Sequence, residues 1–469
     1  MPGKIAFSMA CVALAGCAPL LPKPGFDEVQ SLVSARLPQA IAWPQTADER
    51  RTRQASVEAL LTAALTLDSV LRIGLTNNPH LQASYEKLGI VYGDLIQAGL
   101  PANPSLGFSV HSSSIGVGRE VNIVQDLLSL LTLAPRKRLA AAQFVETKLT
   151  AAQQVLSLAT DLKKAYFTAH ADQAALVLTK EVTEAAAVAA ELADRQSQAG
   201  NIGTRELALR QEFHARAMLD SSRQELALAQ SHEHLARLMG LQRDQRAWTL
   251  ADIALDVIDP IPELNVLETT ALNNRYDISA GKKRLDRLAD SLGVANRFRY
   301  LSVLGLGLSY ARETDGEKLR GPSVEIGLPL WDRGQGNRLR MQSELREGER
   351  NLEALALDVI GDVRNAYARV ENARLSIQLF RKTLLPLHDR ITAETLKFYN
   401  GMLLGVYDVL SARQNQLNAQ RDYIDTLKSY WLAKTDLEHA AGGASLDKTM
   451  ALDNPVPKIE TPPVEHKHH

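Results

Sequence analysis

Cysteine is nearly absent from this 469-residue chain, which has only Cys11 and Cys17. Cys11 falls inside an apolar N-terminal run that reads as a cleaved leader, so the mature chain has no pair with which to close an internal disulfide. Aromatic residues make up 5% against 45% hydrophobic residues overall, which is little for one large globular core. Net charge is missing as well. The 53 Lys and Arg balance 54 Asp and Glu, leaving no basic excess to attract nucleic acid. No stretch reaches the roughly 18 uninterrupted apolar residues of a transmembrane helix, so any crossing of a bilayer must use strands. From Arg136 to Ala199 there is neither glycine nor proline. That run predicts about 60 helical residues, roughly 90 Å long. No zinc HExxH, phosphate-binding loop or nucleophile elbow occurs. No set of acid, base and nucleophile assembles, so the chain does not read as an enzyme.

What is present is an alternation of short strand patterns and very long helix patterns. Between Gly321 and Arg340, Val324, Ile326, Leu328 and Leu330 alternate with Glu325, Gly327 and Pro329, as in a strand with one apolar face. After the turn formers Asp332 to Gln335 the period becomes helical. Val359, Val363, Ala366, Val370, Ala373, Ile377, Phe380 and Leu384 follow at alternating steps of four and three, a heptad seam. The same pairing occurs earlier. Leu106, Phe108 and Val110, then Val121 and Ile123, predict a hairpin. Val155, Leu158, Leu162, Ala165 and Ala169 mark a seam in the long helix that follows. Gly200-Asn201-Ile202-Gly203 must turn that helix, with Thr204 placed to cap the next.

The pattern recurs about 200 residues on. Leu272-Asn273-Asn274-Arg275 answers Leu75-Thr76-Asn77-Asn78, and Leu304, Leu306, Leu308 and Tyr310 answer Leu106 to Val110. Asn400-Gly401-Met402 answers Gly200-Asn201-Ile202. The chain therefore divides into a leader at 1–16, an extended N-terminal segment at 17–65, a first repeat at 66–258, a second at 259–443, and a proline- and histidine-containing tail at 444–469. Four strands cannot satisfy their edges in lipid, and helical hairpins this long cannot bury an apolar seam alone. Several chains sharing one barrel would solve both problems. The strands would close a membrane barrel with apolar alternates outward and Ser309, Glu325 and Gly327 toward the lumen, and the helices would extend it as a hollow tube.

At the N-terminus, Lys4, the apolar run from Ile5 and the sequence Leu14-Ala15-Gly16-Cys17 resemble the lipobox of bacterial lipoproteins. The resemblance implies cleavage before Cys17 and acylation of it; Ala18 in place of aspartate implies the outer membrane. A lipid anchors a chain without spanning the bilayer. The tail ends Glu465-His466-Lys467-His468-His469, where His466, His468 and His469 are weak metal candidates that read better as a solvated tail. His232-Glu233-His234 reads as two surface histidines, because residues two apart point to different sides of a helix.

The duplicated plan, the lipobox, Leu328-Pro329-Leu330-Trp331-Asp332-Arg333-Gly334-Gln335, and Tyr399-Asn400-Gly401 followed by Tyr407-Asp408-Val409-Leu410 resemble the TolC-type outer-membrane efflux proteins. The resemblance spans about Thr66 to Gly443. It implies a mostly α protein with a membrane β-barrel: a homotrimer in which each chain gives four strands to a shared barrel and its helical hairpins to a periplasmic α-barrel tunnel. It also implies a passive exit channel for small molecules or metal ions, a periplasmic adaptor and an inner-membrane pump as partners, and no cofactor beyond the lipid at Cys17. Asp408 falls at the family's periplasmic gate, where three carboxylates meet on the threefold axis and select cations. Ser411 replaces the family's second acid and Leu403 falls where an arginine can help lock the mouth, a weaker charge latch. Gly200, Asn201, Gly203, Asn400, Gly401 and Met402 fall at the tips on which the adaptor docks. The competing reading is a lipid-anchored periplasmic coiled coil that forms no pore; the four alternating strands argue against it.

Overall fold

In the computed structural model, which describes residues 22–443 apart from 115, 243, 244, 246, 253–260 and 302, the N-terminal segment is not simply extended. It contains helix α1 (Phe26–Ser34) and helix α2 (Ala47–Leu61). Thr46 and Glu49 explain α2: each side chain caps the other's backbone N–H, the reciprocal bonding of a capping box. Phe26, Trp43 and Tyr85 form an aromatic cluster with centroids 5.1–6.2 Å apart, which docks the segment on the body. The leader, Cys17 and the tail with His466, His468 and His469 lie outside the described residues.

Thr66 opens helix α3 (Leu67–Asn77) with a second capping box, formed with Ser69. Asn78 and Pro79 then break the helix as proline requires, and α4 (Pro79–Ala98) starts with Pro79 in its first turn. The two asparagines also work at a distance. Asn77 donates to the carbonyls of Met239 and Gly240, and Asn78 to that of Leu238, satisfying the C-terminal carbonyls of a helix 160 residues away.

Strands β1 (Ser105–Ser113) and β2 (Gly116–Asp126) form the first hairpin. A short helix α5 (Leu127–Leu131) leads into α6 (Leu133–Gln198), whose 66 residues span about 100 Å. Helix α7 (Thr204–Leu238) returns alongside it. The order then repeats: α8 (Leu264–Asn274), α9 (Tyr276–Phe298), β3 (Leu304–Arg312), β4 (Lys318–Ile326), α10 (Gln335–Leu379), a π-helical turn (Phe380–Leu384), α11 (Leu385–Asn400) and α12 (Val406–Ala440). β4 ends at Ile326, two alternations earlier than the pattern through Leu330 predicts, because Pro329 has no N–H to offer a ladder.

The buried positions of α10 are Val359, Val363, Ala366, Val370, Ala373 and Ile377, the expected seam. Burying each valine or isoleucine contributes about 1.5–3 kcal/mol. Phe380 and Leu384 drop out of the seam and are only half-buried. Pro386 cannot donate to the carbonyl four residues back, and the π turn just before it absorbs the mismatch without ending the helix. Helix α6 is the spine: it packs on α1, α3, α4, α7, α9 and α12, joining both copies. Its alanines, among them Ala151, Ala152, Ala159, Ala165 and Ala169, are buried and allow that close approach.

Arg36 ties the N-terminal segment to the second copy. Its guanidinium donates to the carbonyls of Gly442 at 2.6 Å and Asn274 at 3.0 Å, at the C-terminal ends of α12 and α8. Gly442 follows α12 as Gly240 follows α7, and both have positive φ. Asn77 serves the first helix end, and Arg36 serves the second.

Candidate functional site

The sheet has the order β1-β2-β3-β4, antiparallel throughout, so the two hairpins from the two copies lie edge to edge. Register sorts its residues. On one face Leu106, Ile123, Leu308 and Pro322 form one cross-strand row, and Phe108, Val121, Tyr310 and Arg320 form the next. Leu106, Phe108, Leu308, Val324 and Ile326 are between 57% and 72% exposed, an apolar surface that no other described part of the chain covers. From Leu304 to Tyr310 this band is about 20 Å tall. The opposite face carries Gly107, Ser109, Glu120, Asn122, Gly305, Gly307, Ser309, Ser323 and Glu325, small or polar at nearly every position. Ser309 and Glu325 lie on it as expected, whereas Gly327 lies beyond the end of β4. All four strands join helices at one end of the sheet, and both hairpin turns are at the other.

At the far end of the helices are two tips. Gly200 has φ +74° and follows α6; Asn201 N–H reaches back to Gln196 O at 2.8 Å. In the second tip Leu403 N–H reaches back to Phe398 O at 2.9 Å, and the left-handed residue between is Met402, with φ +58°. The hydrogen bonds therefore pair Gly200 with Met402 and Gly203 with Gly405. The two tips match two residues later than the glycine-asparagine resemblance indicates, because backbone bonding sets the equivalence. Gly203, not Thr204, is the N-cap of α7, and Thr204 is its first helical residue. Gly200, Asn201, Gly203, Asn400, Gly401 and Met402 are all exposed, Met402 at 94% and its neighbour Leu403 at 72%.

Asp408 stands in the first turn of α12, where its carboxylate accepts the Gly405 N–H at 2.9 Å. It is exposed, as is Ser411 one turn on. Next to it the two hairpins are joined. Tyr407 donates its hydroxyl to Gln196 Oε1 at 2.7 Å, and the Arg210 guanidinium lies over the Tyr407 ring at 4.3 Å while donating to Glu206 at 3.0 Å. No sequence motif marks this network, since its members are distant in the chain.

Charged pairs along the spine were equally silent in the sequence. Lys163 meets Glu438 at 2.8 Å, and Asp436 accepts from both Lys164 at 2.8 Å and Arg369 at 3.1 Å. Burial raises the Asp277 carboxyl, but Arg275, bonded at 2.6 Å, outweighs it and holds the group below its ordinary range. His232 is not a plain surface residue. It is half-buried and stacked on Trp248, with centroids 4.5 Å apart, whereas His234 is exposed beside Arg237. Burial lowers the pKa of His232 and pushes that of His170 down to about 4. Among the described residues, no group of three or more His, Cys, Asp or Glu is placed to hold a metal ion, and no helix is long and apolar enough to cross a membrane.

No protein-family model matches the chain. The solved Campylobacter jejuni CmeC outer membrane channel superposes with a TM-score of 0.70 over 90% of this chain and 93% of its own, at 19% identity. The chain has the fold of a TolC-type outer-membrane channel. CusC, described for its folding and transmembrane channel formation, gives a TM-score of 0.67 over 92% of this chain and 100% of its own, at 15% identity. In sequence, the cobalt-zinc-cadmium resistance protein CzcC of Cupriavidus metallidurans is 26% identical over 391 residues, 81% of this chain and 90% of that protein.

Proposed function

We propose that this protein is the passive outer-membrane exit duct of a tripartite export system, working as a homotrimer with a periplasmic adaptor and an inner-membrane pump. The observation that carries the reading is the two-faced sheet, apolar on one side and small or polar at nearly every position on the other. In a closed barrel the small, polar face leaves an aqueous path, and Glu120 and Glu325 on it favour cations. Exposed leucines on helices α7, α10 and α11, including Leu219, Leu226, Leu357, Leu375 and Leu387, supply apolar surface for neighbouring copies. The repeats at 66–258 and 259–443 give each protomer four strands and two helical hairpins. Acylated Cys17 adds a lipid anchor after the leader at 1–16 is removed.

The cargo class follows from the likeness to CzcC. We take it to be divalent transition-metal cations of the cobalt, zinc and cadmium type, handed on by the pump and selected chiefly there. Asp408 rings the periplasmic mouth, and the tips at Gly200, Asn201, Gly203, Asn400, Gly401 and Met402 receive the adaptor. Planar-bilayer recording of the purified full chain tests the duct. Discrete, cation-preferring channels are expected from a heat-modifiable, detergent-resistant trimer. A protein that inserts and never conducts would be a scaffold.

A further inference from the structure

The outward face of the sheet changes character at its hairpin end. In the row next toward the hairpin turns, which starts with Val110 of β1, Arg119 of β2 pairs with Arg312 of β3, and Arg312 pairs with Lys318 of β4, so the cations gather on the β2–β4 side while Val110 and Val117 keep the β1 side apolar. Arg320 lies in the adjacent row, over the Tyr310 ring at 5.4 Å. All four cations are exposed, and among the described residues none makes an ion pair. Like charges placed directly opposite across strands destabilise a sheet. Acids are close at hand in sequence but on the wrong side. Glu120, Glu313 and Glu317 alternate with the cations along the same strands and turn, so the pleat sends them to the inner face, where Glu313 is 3.9 Å from His111. The segregation leaves the outer rim positive, directly above a band of lipid-facing side chains.

We propose that Arg119, Arg312, Lys318 and Arg320 bind the phosphate groups of anionic lipid headgroups in the outer leaflet. The inference rests on the channel reading, which turns this face toward lipid and the hairpin ends outward. Phosphate oxygens accept several charge-assisted hydrogen bonds at once, and guanidinium groups match them in a fork geometry. Bound phosphate would relieve the repulsion in the Arg119-Arg312-Lys318 row. Tyr310 stands at the boundary between apolar band and headgroups, as aromatic girdles of such barrels do. A trimer would repeat the patch three times around the rim.

The test uses the full chain reconstituted in nanodiscs of phosphatidylcholine containing a minor fraction of lipid A. Retained lipid A is counted by native mass spectrometry after transfer to detergent, and conductance of the same preparations is recorded. The double variant Arg312→Gln/Lys318→Gln is expected to retain on the order of tenfold less lipid A while conducting normally. Arg350→Gln, on an exposed turn of α10, is expected to leave retention unchanged. Equal retention by wild type and double variant, with channels intact, would overturn the lipid contact alone. Absence of channels from the wild type would overturn the duct reading beneath it.

Discussion

Tyr407 and Gln196 are 211 residues apart and joined by a 2.7 Å hydrogen bond, the hydroxyl in the first turn of α12 donating to the carboxamide in the last turn of α6. Arg210 covers the same tyrosine ring from α7. The two tips are thereby held as one unit beside Asp408.

Tyr407→Phe removes the hydroxyl and keeps the ring under Arg210. A single such bond is worth about 0.5–1.5 kcal/mol, so the variant should fold and trimerise normally. Its channels are expected to open more often or more widely in bilayers. Tyr407→Ala should give a larger effect, since the cation–π contact goes too.

Asp408 has two separable roles. Its hydrogen bond from the Gly405 N–H contributes about 0.5–1.5 kcal/mol, and its charge belongs to the proposed gate. Asp408→Ala should raise conductance or lower cation selectivity, with some loss of stability. Asp408→Asn retains an acceptor for the cap while losing the charge, so it should change selectivity with little change in melting temperature. Unchanged conductance and ion selectivity in both variants would remove Asp408 from the gate.

Met402 has left-handed backbone with its side chain 94% exposed. Such a conformation costs a residue with a Cβ about 1–2 kcal/mol, so Met402→Gly should raise the melting temperature. If the tip docks an adaptor, the same change should weaken export by removing an apolar contact. A bulky charged residue at Gly401 should abolish export and leave trimers intact. Loss of the trimer would mean that the turn is needed for folding only.

The long elements were legible because period and local residue chemistry define them: the heptad seams, the two hairpins and the turn at Gly200 all follow from neighbouring residues. The N-terminal helices were masked by prolines, although Thr46 and Glu49 carry a capping-box spacing. Neither the π turn before Pro386 nor the offset between the tips has a period to read. The Tyr407 network, the Lys163–Glu438 pair and the reach of Arg36 to Gly442 join residues 211, 275 and 406 positions apart. These groups meet only because the N-terminal segment and both copies pack around α6.

Burial holds the folded-state pKa of His170 at about 4, against an ordinary value of 6.5. Asp252 pulls it back up and His232 pushes it further down. The unfolded chain therefore binds the proton more readily, and stability is full above pH 6.5 and falls as pH drops toward 4. The loss reaches at most about 3 kcal/mol. His170→Phe should flatten that part of the pH profile of the melting temperature, read in detergent between pH 7 and 4.

Electron microscopy of the detergent-solubilised mature protein tests the duct most directly. The account predicts a hollow threefold particle: a short barrel continued by a helical tube of roughly 100 Å, the length of α6. A monomeric or solid rod-shaped particle would contradict it, and the assignments of Asp408 and the tips would fall with it.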